Sequence, residues 1–125
     1  MRRGRRVRAA AEQIGANSII GDLIGRLPDG FLFDLLEGFL GQLFQCEAPV
    51  DGADVQAMVK EHYKGGRYDR PFFARVAREA RRQARRDGSR ITRSESHQVA
   101  QATLDYLRKE DEETLSAAIT ELAIG

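Results

Sequence analysis

Residues 75–86, RVAREARRQARR, place arginine at 75, 78, 81, 82, 85 and 86. At 100° per residue these six share about 140° of a helical circumference, with Phe73, Val76, Ala77, Ala80 and Ala84 on the other side. A guanidinium is planar, permanently charged and able to donate paired hydrogen bonds to phosphate or carboxylate. Six Arg pairs stand at i, i+3 or i+4 here, each costing about 0.2–0.5 kcal/mol in an isolated helix. Counter-charge is therefore expected nearby. It can come from a nucleic-acid backbone, from an acidic protein surface, or from Glu110–Glu113 of the same chain or of a second copy, the plainest source alongside simple solvation. A second basic block, MRRGRRVR, contains Arg2, Arg3, Arg5 and Arg6 without any acid and joins the anion-binding candidates.

Other reactive residues point to no catalysis. His62 and His97 belong to no H-x-x-x-H or H-E-x-x-H pattern, and His62 falls on an apolar helical face, as a core or boundary histidine does. Ser94, Ser96 and His97 are neighbours in sequence, but serine at a helix start is ordinarily a cap, and here Thr92 with Glu95, or Ser94 itself, can cap the helix that starts near Ser94. Cys46 is the single cysteine, which rules out an intramolecular disulfide or a multi-thiolate metal cage within one chain and suits a reducing, cytoplasmic setting. No glycine-rich phosphate loop, paired-carboxylate site or metal-ligand spacing is visible, so the expectation is a protein without catalytic residues, metal or cofactor. Tyr68, Phe72 and Phe73 are positioned beside arginines as base-stacking groups are, though core burial is the commoner fate of such residues.

The elements that must hold these groups are all helical. Phe31–Gln45, FLFDLLEGFLGQLFQ, is the most apolar stretch, with the 3.6-residue period at 32, 35, 36, 39, 40, 43 and 44. It is expected at the centre of the core, and a helix so broadly apolar also offers Phe31, Leu35, Phe39 and Leu43 as a self-association face. Before it, a helix from about Ser18 to Leu27 turns inward Ile20, Leu23, Ile24 and Leu27; its Gly21 and Gly25 suggest close backbone approach. Pro28-Asp29-Gly30 is a turn. A third helix, opening at Asp51 and running to Lys64, has Val55, Met58, Val59, His62 and Tyr63 inside. The arginine helix follows, from Pro71 in its first turn to a stop at Asp87-Gly88. Val99, Thr103, Tyr106 and Leu107 then Leu115, Ala118, Ile119 and Leu122 mark inward faces over 94–124, as one bent helix or two.

Residues 84–98, ARRDGSRITRSESHQ, resemble a loop of tellurite-resistance-type helical domains, a match over fifteen residues that assigns no family. The same region also fits a loose helix-turn-helix over 75–107, with Arg90 and Arg93 toward a groove and a turn longer than the usual three or four residues.

The net charge of +1 conceals strong segregation. Residues 65–93 hold ten arginines against three acids, and 94–125 hold seven acids against Arg108 and Lys109. No export signal follows the basic start, because Glu12, Gln13 and Asn17 break the apolar run. A helix over 31–44 would reach about 21 Å, short of the hydrocarbon core of about 30 Å, so no membrane span is expected. At 125 residues one domain is the default. The sequence thus predicts an all-α, compact bundle of five or six helices over 11–125, preceded by a flexible basic arm over 1–10. Two functions fit: a homo-oligomeric assembly or adaptor module that self-associates through apolar helices and binds an anionic partner, or a nucleic-acid-binding protein contacting phosphates through the arginine helix and the arm.

Overall fold

The computed structural model describes residues 5–16, 18–44, 52–64 and 70–124. The predicted periodicities become seven helices among the described residues, with no strands among them: α1 (Arg5–Gly15), α2 (Ser18–Gly25), α3 (Phe31–Phe44), α4 (Gly52–Lys64), α5 (Arg70–Arg86), α6 (Arg93–Lys109) and α7 (Glu112–Ile124).

Local chemistry sets the boundaries. Gly30 and Gly88 both adopt positive φ, 83° and 78°, which an L side chain resists. At the end of α5 the Ser89 N–H donates to the Ala84 carbonyl at 2.8 Å and the Gly88 N–H to the Arg85 carbonyl at 3.1 Å. This is a Schellman closure, and it fixes the direction in which the chain leaves the arginine helix. Thr92 then caps α6: its hydroxyl accepts from the Glu95 N–H, while Glu95 accepts from the Thr92 N–H, a complete capping box. Residues 94–124 are two helices, because the chain extends at Glu110 and Asp111 restarts it by accepting from the Thr114 N–H at 2.7 Å.

Helix α3 is the packing centre, as its composition predicts. It contacts α1, α5 and α7; Leu35 and Leu36 are fully buried, and Phe31, Leu32, Phe39 and Leu40 nearly so. Burial of each such side chain is worth about 1.5–3 kcal/mol. The predicted inward residues of α2, α6 and α7 are buried or half-buried, as are Val55 and Val59 of α4; the side chains of Met58, His62 and Tyr63 lie outside the described residues.

Two expectations are corrected. The basic segment is not an arm from residue 5 onward, because Val7, Ala11 and Ile14 form a buried stripe that docks α1 on α3, while Arg2 and Arg3 lie outside the described residues. This extra helix also makes the described helices one more than the upper count predicted. Nor do Gly21 and Gly25 mark a close backbone approach. A Cβ at Gly21 would come no nearer than 4.0 Å to the Gly15 carbonyl oxygen and one at Gly25 would meet open space, so nothing in the structure requires glycine there.

Candidate nucleic-acid interface

Helix α5 is held on two sides. Toward α3, the Phe72 ring meets Phe39 edge-on with centroids 6.4 Å apart, and the Glu79 carboxylate lies over Gly38, where a Cβ would come within 3.0 Å of it. Toward α6, Phe73 packs on His97, and Arg81 Nη1 donates to Ser96 Oγ at 2.8 Å. Val76, Ala77, Ala80, Gln83 and Ala84 are buried with them. What remains outward is the arginine arc.

Its six members are not equivalent. Arg82 is occupied: its Nη2 lies 2.6 and 2.9 Å from the two oxygens of buried Glu79, at a cleft of about 420 Å³ also lined by Asp34, Glu37, Arg86 and Asp87. Arg81 is half-buried on Ser96. The exposed Arg75 places its guanidinium carbon 5.9 Å from the Phe72 ring centre, a cation–π contact that leaves its donors outward. Arg78, Arg85 and Arg86 are exposed and have no carboxylate partner among the described residues. The internal counter-charge expected at Glu110–Glu113 is not used: among the described residues no α5 arginine pairs with that segment, Asp111 caps α7, and Tyr106 bonds Glu110. Burial, then the Glu110 hydrogen bond and charge, push the Tyr106 phenol up to about 12.

From Arg75 to Arg86 the free guanidiniums extend along about 16 Å of helix. Arg90 and Arg93 are exposed just beyond, before and at the start of α6. Behind them Glu95 is held below the usual carboxylate range, first by the Thr92 backbone N–H and then by Arg26 of the α2–α3 turn. That ion pair ties the turn to the start of α6.

The remaining predicted site residues do not join this face. Arg6 is taken by α7, where Glu121 accepts from its backbone N–H at 3.0 and 3.2 Å and pairs with its Nε at 3.4 Å. Arg5 is exposed on α1. Phe31, Leu35 and Phe39 are interior, between 0 and 4% exposed, so the self-association face predicted on them is already covered by the protein's own helices; the side chain of Leu43 lies outside the described residues. Phe72 is core, Phe73 is half-buried, and Tyr68 and Cys46 lie outside the described residues.

Sequence reasoning missed two participants. Glu79 reads as one acid in a basic run, yet its angular position beside Phe72 and Gln83 puts it on the buried edge and makes it the counter-ion of Arg82. His97 reads as an isolated surface histidine, and only the packing of α6 on α5 brings it to Phe73.

No family model, curated protein or solved structure matches this chain. No group of three or more metal-ligating side chains occurs among the described residues, and no described helix is long and apolar enough to cross a membrane.

Proposed function

We propose that this protein binds nucleic acid non-catalytically, by its phosphates, through Arg75, Arg78, Arg85 and Arg86 of α5. The observation that carries the reading is that these four exposed guanidiniums on one rigid helix have no carboxylate partner among the described residues. The cleft carboxylates lie beside Arg86, which leaves Arg75, Arg78 and Arg85 without internal counter-charge among the described residues, and an external polyanion would supply it. An acidic protein surface is the poorer fit. Protein interfaces centre on a broad apolar cluster, whereas this arc holds arginines and small residues such as Ala74, and the ring pair near it, Phe73 and His97, is on the α6 side. Self-association plays no part in the reading, since the face predicted for it on α3 is interior.

The test is fluorescence anisotropy of labelled RNA and DNA at two salt concentrations, with wild type and a variant carrying Arg75→Gln, Arg78→Gln, Arg85→Gln and Arg86→Gln. Four lost phosphate contacts should flatten the log–log salt dependence by about 2.8 for a single strand and about 3.6 for a duplex. Equal binding and equal salt slopes for the two proteins would overturn the assignment of the face. Absence of wild-type binding at low salt would overturn the function.

A further inference from the structure

The seam between α5 and α6 carries a feature unrelated to phosphate. Phe73 is half-buried at the start of α5, and the imidazole of His97 leans on it, with ring centroids 5.2 Å apart and planes at 55°. His97 is otherwise exposed, so the tilted contact with Phe73 covers only part of its ring. The neighbouring residue Ser96 accepts the hydrogen bond from Arg81, which links the ring pair to the arginine arc. Arg93, four residues before His97 and on the same side of α6, is also exposed. An exposed ring thus stands one helical turn from the exposed guanidinium of Arg93.

From this arrangement we infer that the preferred ligand is single-stranded nucleic acid, with one unpaired base stacking on the exposed part of the His97 ring while Arg93, one turn away, holds the adjoining phosphate and the strand continues to the α5 arginines. The inference rests on the reading of α5 given above and names its ligand class. In a duplex the bases are stacked on one another and offer no free face, whereas a single strand can turn a base out onto a side-chain ring. Because Phe73 already fixes the imidazole, little side-chain freedom is lost on binding.

The experiment compares a short labelled oligouridine with a labelled RNA duplex of the same length, using wild type, His97→Ala and His97→Phe. His97 is exposed, so both variants should retain the wild-type circular dichroism spectrum and melting midpoint. Wild type should bind the single strand more tightly than the duplex. His97→Ala should weaken single-strand binding by about fivefold to a hundredfold, the range for loss of one stacked base, with duplex binding changed less than about twofold. His97→Phe, which keeps a stacking surface without a titratable nitrogen, should stay within about twofold of wild type on the single strand. A wild-type preference for duplex, or equal loss on both ligands in His97→Ala, would overturn the inference and leave the α5 reading intact. Absence of wild-type binding to either ligand would overturn both.

Discussion

Arg78 and Arg82 are one turn apart on the same exposed arc, and replacing either by glutamine removes one charge and three like-charged helical neighbours. For Arg78 the neighbours are Arg75, Arg81 and Arg82; for Arg82 they are Arg78, Arg85 and Arg86. Relief of helical repulsion, at most about 0.6–1.5 kcal/mol in each case, therefore cancels between the two variants. What differs is Glu79. Only Arg82 holds that carboxylate, which is 8% exposed, through two charge-assisted hydrogen bonds. Hydrogen bonds to charged groups are worth about 1.5–3 kcal/mol, and removing one partner leaves the other to bear its desolvation cost. The Arg82 side chain is 48% exposed and the adjoining cleft admits water, which discounts this figure. Arg82→Gln should therefore be less stable than Arg78→Gln by about 1–2 kcal/mol. Urea denaturation followed by circular dichroism measures the difference, with an unchanged m-value confirming that the unfolded states are comparable. Adding Glu79→Gln to Arg82→Gln should recover most of the loss, because a neutral amide needs no cation. Equal stability of the two single variants, within about 0.5 kcal/mol, would refute the claim that Glu79 relies on Arg82.

Two further outcomes follow from the polar interior and the α6 cap. Glu95 has its folded-state pKa lowered from 4.5, so its contribution is complete above about pH 4.5 and fades as pH falls through the lower folded value; the melting-midpoint gap between wild type and Glu95→Gln should be widest near neutrality and close on acidification, and a gap that widens in acid would contradict the cap. Ser116 Oγ is buried with no hydrogen-bond partner among the described residues, so Ser116→Ala should be neutral to stabilising by up to about 1 kcal/mol in urea denaturation, and a loss above about 0.5 kcal/mol would show that the hydroxyl is satisfied.

The helices were legible because their signals are local. The period-3.6 stripe of α3, the Asp-Gly stop of α5 and the Thr92–Glu95 capping box all lie within a few residues of what they specify. Helix α1 was read instead as the end of a flexible arm, since Arg5, Arg6 and Arg8 surround Val7 and mask a stripe whose burial depends on distant α3. Within the arginine arc the sequence shows six equal charges. The division into an occupied Arg82, a bonded Arg81 and outward Arg75, Arg78, Arg85 and Arg86 arises from side chains supplied by α6 and by α5's own buried edge, which no single-helix pattern contains. Phe31, Leu35 and Phe39, read as part of a self-association face, are interior for a related reason: periodicity reports that a helix is apolar but not whether its own chain or another covers it.

The carboxylate that accepts the Arg6 N–H belongs to Glu121, 115 residues further along the chain. Helix N-termini leave their first amide groups without intrahelical partners, and here the cap is supplied by the last helix rather than by a local serine or aspartate. During synthesis at about 5–20 residues per second, Arg6 precedes Glu121 by about 6–23 s. Throughout that interval α1 lacks its cap and the α7 surface it packs on, and α3, made soon after it, is the partner on which its apolar stripe, Val7, Ala11 and Ile14, can dock. Completion of α1 thus waits for Glu121, and the cap ties α1 to α7.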